Sequence, residues 1–152
     1  MALNIIIDPN TDTTFYESVR RLLGGVDSET ITDEDILDPA FFDMAEIEIL
    51  SLVPCLDSTF ISDADKAKAR LAMIHLIASK MCPTVKGKVE YEVKTIDVSW
   101  RRSPVKYEEL QENLLSTVDS LLSSIECYTG GGDSNVFAIA PSRRAVNEVE
   151  EL

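Results

Sequence analysis

The fold of this chain is decided by residues 63–82, which read DADKAKARLAMIHLIASKMC. Ser62 stands directly before the stretch and is a suitable helix N-cap. Within residues 71–78 every side chain is apolar except His75, and a helix without a polar face is usually buried on several sides. Pro83 is expected to end the helix, because the residue before a proline avoids helical geometry. The stretch therefore predicts a central buried helix around which the other elements pack.

Other segments show the apolar spacing of helices that pack on one face. Thr14 and Glu17 form a capping-box pair, and Gly24-Gly25 is a suitable stop for the helix that follows. The predicted segments are Thr14–Leu23, a short acidic turn that begins at Thr32, residues 39–53 after an Asp38 cap, and Tyr107–Ile125. We therefore expect a mainly α protein, a small helical bundle around the central helix.

Residues 88–100 change to the alternation that is typical of β-strands. Apolar side chains alternate with polar ones at Val89, Tyr91 and Val93, and then on the opposite parity at Ile96, Val98 and Trp100. A single change of phase near Thr95 suggests a turn or bulge. The pattern predicts a β-hairpin insertion at about residues 88–100.

The tail differs in composition from the rest of the chain. Residues 129–134 read TGGGDS, which is typical of a flexible linker, and residues 136–141 read VFAIAP, a short apolar segment with β propensity. An apolar segment on such a linker is suited to reach another surface, although a frayed terminus has the same composition. We therefore predict an α-helical core at residues 1–128 and an extended C-terminal arm at 129–152.

Charge is the strongest compositional feature of the chain. The 152 residues carry a formal net charge of −13 and are 45% hydrophobic, as expected for a globular protein that repels nucleic acid over most of its surface. The three cysteines, Cys55, Cys82 and Cys127, are widely spaced and suggest neither a disulfide framework nor a zinc site. Neither a signal peptide nor a membrane span is evident, so we expect a soluble protein made in a reducing cytosol.

No constellation of catalytic residues stands out. His75 is the single histidine, and its place in an apolar helix favours a structural role; Cys82 lies seven residues away, too far along a helix for a Cys-His pair. Residues 8–19 begin like a calcium loop but lack its glycine and its final glutamate. The one basic-aromatic cluster is Trp100-Arg101-Arg102, which the overall charge assigns to a protein interface rather than to nucleic acid. We expect no enzyme activity, no metal and no cofactor.

Two local stretches resemble those of a known family. One is TDEDI at 32–36, followed by the helix around MAEI at 44–47. The other is residues 67–78 with IHL at 74–76, followed by GKV at 87–89 and DVSW at 97–100. With the order of parts over residues 14–126, they resemble the head-to-tail connector, or adaptor, proteins of tailed bacteriophages. In that family an alanine-rich central helix with a histidine leads into a small hairpin and a final helix.

The resemblance implies a structural protein of the virion neck, made in the bacterial host cytoplasm. Such adaptors form a homo-oligomeric ring, commonly of twelve copies, that binds the portal protein, meets the next neck or tail-completion protein, and extends the DNA channel. DNA then passes through without specific binding, and an acidic channel wall would keep it from sticking.

Three groups of residues are candidates for these contacts. We expect the portal-binding residues of the arm to be Val136, Phe137, Ile139, Arg143 and Arg144, the subunit or neck interface to include Trp100, Arg101 and Arg102, and the channel wall to include Glu108, Glu109 and Glu112. The alternatives are a neck stopper or tail-completion protein, or an acidic regulatory protein that mimics DNA and binds a basic partner. A small hydrolase is left without a nucleophile-base pair.

Overall fold

The computed structural model describes residues 4–58, 61–95 and 106–129, and within these ranges the chain is mainly helical. The elements in chain order are α1 (Thr14–Leu22), α2 (Asp33–Ile36), α3 (Phe42–Leu52), a 3₁₀ turn (Pro54–Asp57), α4 (Asp63–Thr95) and α5 (Tyr107–Ser123). Helices α1, α3 and α5 all contact α4. The predicted mainly α bundle around a central helix is therefore confirmed.

Helix α4 is central because its middle section is apolar on nearly every side. His75 is half-buried there, whereas the neighbours that share the core are fully buried: Ala72, Met73, Ile74, Leu76, Ile77 and Ala78. The same core takes in Phe15 of α1, Ile49 of α3 and Val118 of α5. Leu71 is the exception, since 44% of its surface is exposed, so its expected place in the core is wrong.

Pro83 lies inside α4, so the prediction that it ends the central helix is wrong. Proline has no N–H to donate to the carbonyl four residues earlier, which here belongs to Ser79. Gln111 of α5 donates its Nε2–H to that carbonyl oxygen at 2.9 Å. The neighbouring helix thus satisfies the acceptor that the proline leaves open, and α4 continues to Thr95.

Helix α4 also includes the residues that were predicted to form the first strand of the hairpin. Residues 88–95 are helical, so the β-hairpin predicted at about 88–100 is wrong in its first half, and residues 96–100 lie outside the described ranges. Lys88 helps to hold this part of α4, because its Nζ donates to the Thr30 carbonyl oxygen at 2.9 Å and to Asp35 Oδ2 at 3.2 Å. Extending an existing helix costs far less than starting one, so this tertiary context overrides the local β propensity.

Helix ends agree with the sequence in two places. At the end of α1, Gly25 N–H donates to the Arg20 carbonyl and Gly24 N–H to the Arg21 carbonyl, and both glycines have positive φ. At the start of α2, Thr32 and Asp35 exchange side-chain to backbone hydrogen bonds as a capping box. The hydrogen bond from the Thr32 N–H is the largest cause that holds the pKa of the Asp35 carboxyl below its usual range, and the hydrogen bond from Lys88 adds to it.

One predicted helix start is confirmed and another is wrong. Helix α1 starts at Thr14 as predicted, but its N-cap is Thr13, and the Thr14–Glu17 capping box does not form because the Thr14 hydroxyl donates to Asp12 Oδ1 at 3.0 Å. Helix α3 begins at Phe42 rather than at residue 39. The reason is a turn in which the Asp38 carbonyl accepts both the Phe41 and Phe42 N–H groups.

A disulfide joins Cys55 of the 3₁₀ turn to Cys127, which follows α5. The Cα atoms of the two residues are 6.2 Å apart, and 72 residues separate them in sequence. The expectation that the cysteines form no such link is therefore wrong. Beside this bond, the Thr129 N–H donates to the Leu52 carbonyl oxygen at 2.8 Å. The end of the described chain is thus fastened to the end of α3, and the rest of the predicted arm lies outside the described residues.

Candidate functional site

The exposed side of α5 carries a row of carboxylates. Tyr107, Leu114, Val118 and Leu122 are its buried residues. Glu108, Glu112 and Asp119 follow one another at helical spacing on the opposite side, and all three are exposed. Glu109 is exposed on the adjacent row. The three predicted channel-wall residues, Glu108, Glu109 and Glu112, therefore share one solvent-facing surface, which we call the acidic face of α5.

One of these carboxylates is paired within the chain. Lys86 of α4 donates to Glu108, and this hydrogen bond holds the pKa of the Glu108 carboxyl below its usual range. Glu109 and Glu112 are exposed, and no ion pair binds them within the described residues, so they can act on a ligand or a passing polyanion at long range.

A second acidic region surrounds α2, but basic side chains bind much of it. Arg20 is only 4% exposed; it forms ion pairs with Glu17 at 2.9 Å and with Asp33 at 2.5 Å, and its Nε donates to the Ile31 carbonyl oxygen. Lys88 pairs with Asp35. These contacts tie α1, α2 and α4 together, so we interpret the region as structural.

Glu46 holds the start of the described chain. Its carboxylate is fully buried and accepts the backbone N–H groups of Asn4 at 3.0 Å, Ile5 at 2.5 Å and Ile6 at 3.0 Å. A buried carboxylate satisfied in this way is stable, because several amide donors replace the water that it loses. Glu46 therefore fixes residues 4–6 against α3.

A surface groove of about 370 Å³ lies between this N-terminal segment, the 3₁₀ turn and the first turns of α4. It is lined by the apolar residues Ile5, Ile6, Leu56 and Ala69 and by the polar residues Asp57, Ser58 and Lys66. Ile5 remains 40% exposed, so part of this apolar wall faces solvent. The volume is within the range of about 300–1,000 Å³ that is typical of ligand pockets. We call this surface the N-terminal groove.

The residues with reactive side chains have structural surroundings. His75 is half-buried, and its Nδ1 lies 2.8 Å from the Leu71 carbonyl oxygen of the same helix. Burial raises the pKa of the Cys82 thiol to about 11, so this cysteine is protonated at neutral pH. The described ranges contain no group of three or more His, Cys, Asp or Glu side chains that could hold a metal ion. No helix within them has the length and apolar character needed to cross a membrane.

Two of the three predicted groups cannot be placed. The arm residues Val136, Phe137, Ile139, Arg143 and Arg144, and the cluster Trp100, Arg101 and Arg102, lie outside the described residues. Comparison of the chain with protein families, with curated proteins and with solved structures found no match.

Sequence reasoning missed Glu46 and the N-terminal groove. A signal for Glu46 was present, because Phe42, Glu46, Ile49 and Val53 follow a 4-3-4 spacing that places the carboxylate among core residues. The groove had no such signal, since it forms where three segments distant in sequence meet.

Proposed function

We propose that this chain is a structural adaptor of the neck of a tailed bacteriophage. Copies of it form a ring, expected to contain twelve, that binds the portal protein, contacts the next neck or tail-completion protein and extends the DNA channel. The acidic face of α5 is the observation that most supports this function. In a ring whose α5 helices face inward, Glu109 and Glu112 of every copy repel the DNA backbone and keep it from adhering.

The way in which the chain leaves the core also supports the proposal. Thr129 is hydrogen-bonded to Leu52, and Cys127 is bonded to Cys55, so the residues that follow start from a fixed point. The apolar and basic residues of the arm, from Val136 to Arg144, come within fifteen residues of that point. A rigid origin lowers the entropy that such an arm loses when it binds a portal.

Co-expression with the portal protein of the same genome, followed by imaging of the purified complex, tests the proposal. We expect a ring stacked on the narrow end of the portal. Removal of residues 130–152 should abolish this docking while the far-UV circular dichroism shows that the core remains folded. Absence of binding by the full-length chain would contradict the adaptor function, and a ring that docks equally well without residues 130–152 would contradict the role of the arm.

Charge reversal on the acidic face of α5 tests its place in the channel. Glu108→Lys, Glu109→Lys and Glu112→Lys together should slow DNA exit from assembled particles, because the wall then attracts phosphate. The matched control reverses three exposed carboxylates elsewhere, at Glu29, Glu34 and Glu126, and should leave the rate unchanged. Equal rates in the two triple variants would place the acidic face of α5 away from the lumen.

The acidic face of α5 is also the feature that a DNA-mimicking regulator would use. In that case the carboxylates would bind a basic host protein, and the free chain would capture it without any portal. The same triple reversal would then abolish capture, whereas DNA exit would not be measurable because the chain would be missing from particles. The neighbouring genes distinguish the two functions: an adaptor gene is expected beside portal and capsid genes, and the gene of a regulator beside early regulatory genes.

A further inference from the structure

The N-terminal groove exposes apolar and polar surface in similar amounts, and nothing in the described part of the chain covers its apolar part completely. Leu56 and Ala69 form its buried floor, and the partly exposed Ile5 and Ile6 form one wall. The Glu46 carboxylate fixes the backbone of that wall through the Ile5 and Ile6 N–H groups. The groove is therefore preorganised, which lowers the entropic cost of binding a peptide there.

The chain leaves the described core next to this groove. Thr129 is bound to the Leu52 carbonyl through both its N–H at 2.8 Å and its hydroxyl at 3.0 Å. Leu52 precedes the groove residue Leu56 by four positions, a path of at most about 14 Å along the backbone. The Cys55–Cys127 disulfide joins the same two segments. The residues after Thr129 therefore start beside the groove.

We propose that the apolar segment Val136–Ala140 of the same chain docks in the N-terminal groove. Six residues, 130–135, separate Thr129 from Val136, and a Gly-rich link of seven Cα–Cα steps has an r.m.s. end-to-end distance of about 15 Å. This reach is comparable to the path of at most about 14 Å between Leu52, to which Thr129 is bound, and the groove residue Leu56. An intramolecular ligand on such a link has an effective concentration in the millimolar range, so a weak apolar contact is sufficient to keep it bound.

Docking removes apolar surface of both the segment and the groove from water. Phe137 and Ile139 lose contact with water, and Ile5 gains the cover that it lacks in the described chain. The use of the groove as a store for the arm before portal binding rests on the proposed adaptor function. The intramolecular contact itself does not, because it is formed by the isolated chain.

Photo-cross-linking on the purified full-length chain, without a portal, tests the contact. The photoreactive residue benzoylphenylalanine is introduced at position 137, and in a second variant at 139, and the cross-linked peptides are mapped by mass spectrometry. We expect cross-links within the monomer to residues 5–6, 56–58 or 66–69. Cross-links to these residues only in covalent dimers would overturn the proposal, because the occupant would be the arm of a second copy. Cross-links elsewhere, or none, would also overturn it.

A matched pair of substitutions shows whether the groove is responsible. Ile5→Gln should lower the yield of intramolecular cross-link about fivefold, because it removes apolar surface from the groove wall. Met44→Gln is the control, since Met44 has a similar exposure, 44% against 40%, and does not line the groove. Equal yields in the two variants would overturn the proposal. If the chain without these two substitutions forms the intramolecular cross-link but does not bind the portal, the adaptor function is contradicted and the docking of the arm is not.

Discussion

Glu46 is a charged residue in a position that the helix pattern assigns to the core. The carboxylate is buried because the backbone of residues 4–6 supplies its hydrogen bonds, and the segment is ordered because the carboxylate binds it. The helical spacing marks the position as part of the core, although this was not predicted, and no sequence signal marks the partner, since every residue except proline carries the same backbone N–H group. Interactions of this kind are visible only when two distant segments are brought together.

Glu46→Gln should lower the free energy of unfolding by about 2–3 kcal/mol, because the amide keeps one acceptor oxygen and turns a donor toward the N–H groups. Urea unfolding measures the loss, and hydrogen exchange of the Ile5 and Ile6 amides should become faster. The control is Glu48→Gln, which breaks a more exposed ion pair with Lys80 and should cost about 0.5 kcal/mol. Equal losses would mean that the buried carboxylate does not hold the segment.

Asp12 gives a residue-scale prediction about pH. The hydrogen bond from Arg70, with the Thr14 hydroxyl as a second donor, holds the pKa of Asp12 below its usual range. The folded protein therefore takes up this proton at lower pH than the unfolded chain, whose value is about 3.9. The stabilisation is fully present above about pH 5 and is lost as the pH falls through the lowered pKa of the folded state.

The difference in unfolding free energy between wild type and Asp12→Asn should consequently be constant from about pH 7 to pH 5 and shrink below about pH 4. Denaturant melts at several pH values measure it. Asp57→Asn serves as the comparison, because Asp57 is exposed in the 3₁₀ turn, whereas the ion pair of Arg70 is with Asp12. A difference for Asp12→Asn that is independent of pH down to pH 2 would contradict the role of Arg70.

At the scale of the element, α4 shows why a local pattern can predict the wrong structure. Its first half was predictable, because residues 63–82 are too long for a typical strand and follow a suitable N-cap, Ser62. Its second half combines Pro83 with alternating apolar residues, and both features argue locally against a helix. The deciding contact comes from Gln111, a residue of another helix that occupies the carbonyl left open by the proline. Neither Pro83 nor Gln111 indicates in the sequence that Gln111 will bind the Ser79 carbonyl.

A double-mutant cycle tests this explanation. Gln111→Ala should cost about 1–2 kcal/mol of unfolding free energy, because the carbonyl of the buried residue Ser79 loses its donor. In a Pro83→Ala background the new backbone N–H can take over the bond, so the same change should cost less than about 0.5 kcal/mol. Costs that are equal in both backgrounds would show that Gln111 acts independently of the proline.

For the whole molecule, the sequence predicted the helical class and the acidic side of α5 but not the closure of the bundle. Cys55 and Cys127 are separated by 72 residues, and spacing gave no reason to pair them. They meet because α5 returns along α4 and ends beside the 3₁₀ turn, which is a property of the packed helices. The fastened end of the chain depends on the same closure, and the groove likewise depends on the meeting of segments that are distant in sequence.

Replacement of both residues, Cys55→Ser with Cys127→Ser, should lower the free energy of unfolding by about 4 kcal/mol, as chain entropy predicts for a loop of this length. Urea melts with and without a reducing agent measure the effect. The reductant should destabilise the wild type by the same amount and leave the double variant unchanged. A wild type that is insensitive to reduction would contradict the contribution of the disulfide to stability.

The Cys55–Cys127 link also decides how the molecule responds to mechanical force. When the chain is held at residue 1 and pulled at residue 152, the force passes from Cys127 through the disulfide to Cys55 and then along residues 1–54. It therefore bypasses α4 and α5. The 72-residue separation keeps about 250 Å of extended chain from lengthening under load until the bond is reduced. An arm that holds the chain to a larger assembly under tension would thus transmit the load through the N-terminal part, while α4 and α5 carry none of it.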